Sequence, residues 1–143
     1  MKVEVDADLP AEPRAVWDRM LRWEAQPEWM VDAASVRVVS PLREGTGVRI
    51  AVRTRILGVP ALTDTLEVTG WDPPRELTMV RNGFVRGTGR WRVEAVTGGT
   101  RIEWIEEIRM PIPVLGELLL RAYRPVMRRL MRRSLGNLAA RVR

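Results

Sequence analysis

Four polar side chains interrupt stretches that otherwise alternate apolar on one face and polar on the other: Thr54, Asp64, Arg81 and Glu106. A charge taken out of water needs a partner, a water or a ligand, or it neutralises, so these are the positions where chemistry is to be sought. Buried Asp64 and Glu106 become candidate acids and bases once their protonation moves toward neutrality, and Arg81 is a donor for a carbonyl, hydroxyl or carboxylate. A structural role is open to the same residues. Asp64 and Arg81 would pair across strands, Thr54 would cap the pair, and Glu106 would take a tryptophan indole or a helix arginine as donor.

The composition removes most other chemistries. Histidine and cysteine are absent from the 143 residues, so there is no His-assisted nucleophile, no thiolate and no ordinary zinc or haem site. No metal and no cofactor is expected. A chain without disulfides fits a reducing cytoplasm. Met1 to Leu9 alternates charged and apolar residues, unlike a signal peptide or anchor, and no run approaches the ~20 apolar residues of a membrane span. A cytoplasmic protein is expected. Lysine and arginine number 24 against 18 acidic residues, a net charge of +6, and Lys2 is the only lysine. So strong a skew to arginine reflects base composition as readily as a partner, and charge alone decides little.

The elements that must position these residues follow from pattern and punctuation. Val3, Val5 and Ala7 mark a first strand, and Pro13 to Leu21 reads as a short amphipathic helix, followed by a helical turn over Glu24 to Met30. Six strands are predicted next, over Ser35–Leu42, Val48–Leu57, Leu62–Trp71, Glu76–Arg81, Val85–Val96 and Thr100–Met110, separated by glycine- and proline-rich turns. Val114 to Arg143 then forms a long helix with Leu118, Ala122, Val126, Leu130, Ser134 and Leu138 as its apolar stripe, and Pro125 predicts a kink or break within it.

Taking the more apolar face of each strand as inward, Val52 and Thr54 share a face with Asp64 and Leu66, with Met79 and Arg81, and with Trp91, Trp104 and Glu106. A Gly98-Gly99 turn pairs Val93 with Trp104 and Trp91 with Glu106. Similar counts set Thr54 beside Asp64 and Asp64 beside Arg81. At Asn82-Gly83 a two-residue turn would put the faces out of phase, so a longer loop or bulge is required. Gly87 and Gly89 either allow a sharp bend or leave space for a ligand. Trp91 and Trp104 fill a core or wall a flat pocket. Tyr123 lies one step off the helix stripe, where its hydroxyl reaches the cavity or stays wet.

The stretches PAEPRAVW (Pro10–Trp17), WEAQPEWM (Trp23–Met30), Gly45-Thr46-Gly47, WDPPREL (Trp71–Leu77), GTGRW (Gly87–Trp91) and GTRIEW (Gly99–Trp104), in that order, resemble the START-like or Bet v 1-like (SRPBCC) superfamily. Within it they are similar to the bacterial polyketide cyclase/dehydrase and lipid-transport group. The resemblance covers nearly the whole chain and implies one α+β domain over residues 1–143, of the helix-grip type. A curved seven-stranded antiparallel sheet would wrap a long C-terminal helix, with two short helices after the first strand and an apolar tunnel between sheet and helix. The scaffold hosts carriers and enzymes alike, so function must be argued from the site. The first expectation is a binder or carrier of a small hydrophobic molecule such as a lipid, isoprenoid or polyketide, held by Val52, Thr54, Asp64, Leu66, Met79, Arg81, Trp91, Trp104, Glu106 and Tyr123. The alternative is a cyclase or aromatase in which Glu106, Asp64 and Arg81 carry the chemistry. The arginine-rich last helix also reads as a peripheral contact with anionic membrane or as a solvated basic face. No aromatic residues or nucleic-acid motif accompany it, so nucleic acid ranks last.

Overall fold

The computed structural model describes residues 1–142. Strand β1 (Lys2–Leu9) buries Val3, Val5 and Leu9 while Lys2, Glu4, Asp6 and Asp8 stay in water, the two-residue alternation that its sequence carries. Pro13 opens helix α1 (Pro13–Met20), where its missing N–H would have had no intrahelical partner anyway. The next turn is a 3-10 helix over Trp23–Glu28, slightly earlier than expected. β2 (Ala33–Val38), β3 (Arg49–Ile56), β4 (Val59–Asp72), β5 (Glu76–Asn82), β6 (Arg86–Val96) and β7 (Gly99–Arg109) join β1 in one antiparallel sheet, ordered β1-β7-β6-β5-β4-β3-β2. Helix α2 (Leu115–Arg141) lies against the curled sheet. This is the expected helix-grip architecture.

The inward face of each strand is as the alternation predicts, but three registers differ from the expected ones. The β6–β7 hairpin turns at Thr97-Gly98, with Gly98 at φ 86, so Val96 faces Gly99, Trp91 faces Trp104 and Gly89 faces Glu106. Gly99 opens β7, and its lack of a side chain leaves room for the Leu9 carbonyl of β1. Leu57 and Gly58, both at positive φ, make the β3–β4 turn, and a bulge after Thr54 then sets Thr54 opposite Leu62 and Val52 opposite Asp64. A second bulge between Val68 and Gly70 sets Leu66, not Asp64, opposite Arg81. Each slip is two residues, and side chains repeat with period two, so every face survives. Between Arg81 and Gly87, which pair, the β5–β6 connection is longer than two residues, as phase requires.

Helix α2 departs further from expectation. It runs unbroken through Pro125. Its buried residues are Gly116, Leu120, Met131, Ser134, Leu135 and Leu138, whereas Leu118 and Val126 of the expected stripe are exposed. A strict four-residue step advances about 400° on a helix of 3.6 residues per turn, so such a stripe drifts about 40° per step and cannot stay on one face. Its C-terminal half is stitched in place: the Val31 backbone N–H donates to Ser134 Oγ (3.0 Å) and Asn137 Nδ2 donates to the Trp29 carbonyl (3.2 Å). Arg143, the last residue of the expected helix, lies outside the described residues.

Candidate functional site

Between the sheet and α2 lies a cavity of about 60 Å³. Trp91 and Trp104 close one side, backed by Trp29 in a cluster of tilted and edge-on rings with centroids 5.8 to 6.4 Å apart. Trp91 and Trp104 meet because they are direct cross-strand neighbours.

The polar groups sit toward the ends of β5 and β7. Arg81 Nη1 donates to Asp64 Oδ2 at 3.3 Å, with 18% of the Arg81 side chain and 1% of the Asp64 side chain exposed. Asp64 Oδ1 and Arg81 Nε are buried without a protein partner. Asp64 is packed from above by Gly83 of the β5–β6 loop, where any Cβ would overlap the carboxylate. Glu106 is buried and accepts a hydrogen bond from Trp104 Nε1 at 3.0 Å. A Cβ on Gly89, directly opposite, would stand 3.1 Å from Glu106 Oε1, so this glycine makes room for the carboxyl. Gly87 has a different cause: at φ 149 its α-carbon lies where a side chain would strike the Glu107 carbonyl.

Eight of the expected ligand-binding residues line this cavity: Val52, Thr54, Leu66, Met79, Arg81, Trp91, Trp104 and Glu106. Asp64 stands behind Arg81 and does not reach the lining. Tyr123 is half-buried and also outside the lining. From α2 the wall is instead made by Met127 and Met131, two flexible side chains suited to adaptable contacts.

One lining residue escaped the sequence reading. Asp32, just before β2, shares the cavity with Arg81 and Glu106. It belongs to no alternating run, and a bulge between Ala33 and Ser35 separates it from the strand's phase. The only hint was an acid set among Met30, Val31, Ala33 and Ala34.

The electrostatics set one guanidinium among three carboxyls. Burial raises the Glu106 carboxyl above its ordinary range, against the pull of Arg81 and the Trp104 hydrogen bond, and Asp32 adds to the rise. Burial likewise raises Asp32, with Arg81 opposing. Tyr123 is pushed up by burial and by the nearby Asp32 charge. Asp64 is the acid joined to the arginine, while Glu106 and Asp32 are driven toward their protonated, donating forms. Among the described residues these acids do not converge into a metal-holding group, and no helix is long and apolar enough to cross a membrane.

Two curated proteins of Mycobacterium tuberculosis, the uncharacterized proteins MT1597 and Rv1546, are each 36% identical over 81 residues. The match takes in 57% of this chain and 56% of theirs, so it spans little more than half their length. Among solved structures, TTHA0849 from Thermus thermophilus superposes with a TM-score of 0.82 at 23% identity, covering 99% of this chain and 97% of the other. The Zhui aromatase/cyclase from Streptomyces sp. R1128 gives 0.81 at 16% identity, covering 99% and 93%. These likenesses establish the shared fold. The family model described as polyketide cyclase/dehydrase and lipid transport matches residues 1–143, and the chain belongs to that family.

Proposed function

We propose that this protein binds a small, mostly apolar molecule of the lipid, isoprenoid or polyketide kind, with an oxygen-bearing end directed at Arg81, Glu106 and Asp32. The observation that carries this reading is Glu106: a buried acid, pushed toward its protonated form, in a wall otherwise built of tryptophan, methionine and aliphatic side chains. A protonated acid donates to a carbonyl or hydroxyl without the penalty of an unpaired buried charge. Arg81 Nε adds a second free donor. Pockets of this composition orient apolar ligands through a few polar contacts. The cavity of about 60 Å³ admits only the end of such a ligand, since ligand pockets usually measure roughly 300–1,000 Å³. Binding of the whole molecule therefore requires the stretch of α2 around Met127 and Met131 to draw back from the sheet. A chain without cysteine suits the reducing cytoplasm.

The test is binding of fluorescent fatty-acid and aromatic polyketone probes, together with native mass spectrometry of the purified protein. Saturable binding is expected, weakened at least tenfold by Arg81→Met. If no probe binds and no apolar molecule copurifies, the reading is wrong.

The paired carboxyls favour a second reading, catalysis of ring closure and dehydration in a poly-β-ketone. Ionised Asp32 would take a proton from a methylene between two carbonyls while Glu106 gives its proton to the carbonyl oxygen that this carbon attacks; the resulting alcohol then leaves as water when Glu106 takes the remaining methylene proton and Asp32 returns its own to the departing hydroxyl. Glu106→Gln and Asp32→Asn would then lose turnover and keep affinity. Full activity in both variants on a genuine substrate would remove this reading.

A further inference from the structure

The N-terminal half of α2 carries a second apolar stripe that the core does not use. Leu115, Leu118, Leu119, Ala122 and Val126 recur at helical spacing on the face opposite Leu120, and Leu118 is 56% exposed. The β3–β4 turn, the β5–β6 loop and the β7–α2 connection lie at the same end of the antiparallel sheet. That end presents Leu57, Val59, Phe84 and Val114 to solvent, with Leu57 and Val114 each 77% exposed. Three separate segments thus offer projecting apolar side chains to one side of the molecule, which isolated surface leucines do not explain.

A row of cations runs along the helix, with Arg121, Arg129 and Arg132 beside the stripe and Arg124 and Arg128 on the side of the helix toward the sheet. Arg121, Arg124, Arg128, Arg129 and Arg132 line one shallow groove along α2. None forms an ion pair among the described residues, a condition shared with Arg22, Arg37, Arg49, Arg53, Arg55, Arg86, Arg109 and Arg133; what sets this row apart is that its members lie together on one helix. The helix holds a single acid, Glu117; Arg132 shares a groove with Glu4, Asp6 and Glu103 of the sheet, while among the described residues no acid lines the groove of Arg121, Arg124, Arg128 and Arg129.

We propose that this end of the protein is a docking surface for an anionic lipid bilayer, with the turn tips and the leucine stripe entering the interface and the arginine row on the lipid headgroups. Charge complementarity selects the sign of the surface. Shape selects a bilayer over a protein partner, because the apolar groups project from two turns and a helix and form no groove for a partner's ridge. This inference rests on the outer surface alone and stands or falls separately from the cavity ligand.

Vesicle flotation with the full chain tests it, comparing phosphatidylcholine alone with phosphatidylcholine containing 30% phosphatidylglycerol. Binding is expected only to the anionic vesicles and should fade in 0.5 M salt. Arg121→Gln and Arg129→Gln should each lower partitioning about fivefold, and the double variant Leu118→Asp, Leu119→Asp should abolish it while circular dichroism stays unchanged. No flotation, equal flotation with neutral vesicles, or flotation indifferent to both sets of variants would overturn the proposal. So would a stable dimer in solution that the leucine variant dissociates, since that face would then be occupied by a second copy.

Discussion

The two ends of the concave face are built on opposite principles. At one, Trp29, Trp91 and Trp104 are nearly sealed from water and gain stability through ring packing, and the Trp104 indole is satisfied by Glu106. At the other, Arg81 and Asp64 are drawn out of water with polar atoms still unpartnered. The first end is packed as a core, with the Trp29 indole N–H the one buried polar atom of the three rings left without a partner. The second retains hydrogen-bonding capacity that a folded protein rarely leaves unused, and that contrast separates the part of the face that holds the fold from the part that faces a ligand.

The contrast is sharpest under truncation. Trp104→Ala should cost about 3–5 kcal/mol, because it opens a large void and strips Glu106 of its donor; urea unfolding measures it, and a loss under about 1 kcal/mol would mean the ring cluster is not the anchor. Arg81→Met alone should cost about 3 kcal/mol by stranding the buried Asp64 carboxylate, and adding Asp64→Leu should recover most of that loss. If the double variant is as unstable as the single one, the pair is structural and the polar end is less distinct than argued. Gly83→Ala should cost about 1–3 kcal/mol, since its methyl group meets the Asp64 carboxylate; an unchanged midpoint would show that the loop relaxes freely.

The smallest effect is the most diagnostic. Glu106 and Asp32 have pKa values raised by folding above the ordinary 4.5 and 3.8. The folded state therefore keeps these protons longer than the unfolded chain does. The stability they lend is complete below the unfolded values and is lost as pH rises through the raised, folded ones. Glu106→Gln, which retains an acceptor for Trp104, should be nearly neutral at low pH and should flatten the decline above it. Parallel stability curves for the two proteins between pH 4 and pH 8 would contradict the assignment of Glu106 as a proton-holding acid.

Legibility in the sequence followed the physics of each element. Strand faces were readable because side chains alternate with period two, so Thr54, Arg81, Trp91 and Glu106 all point inward as expected. Registers were not, because each depends on which residue takes positive φ in a turn and on bulges after Thr54 and Val68. The stripe on α2 was misplaced toward its N-terminus, where four-residue steps had already rotated Leu118 and Val126 away from the sheet. Asp32 was hidden because a residue outside any periodic run carries no direction. Asp64 was recognised as buried and paired, but the bulges placed it behind Arg81 and off the cavity wall.

The tethers from Ser134 and Asn137 hold the C-terminal half of α2, while its N-terminal end is joined to β7 through residues 110–114 and seats Gly116 and Leu120. A helix held at both ends can bow at its middle without releasing either anchor. The work of admitting a guest is then set by a few methionine and leucine contacts, and the work of unravelling the domain is set elsewhere. Selection can retune the entrance without endangering the scaffold.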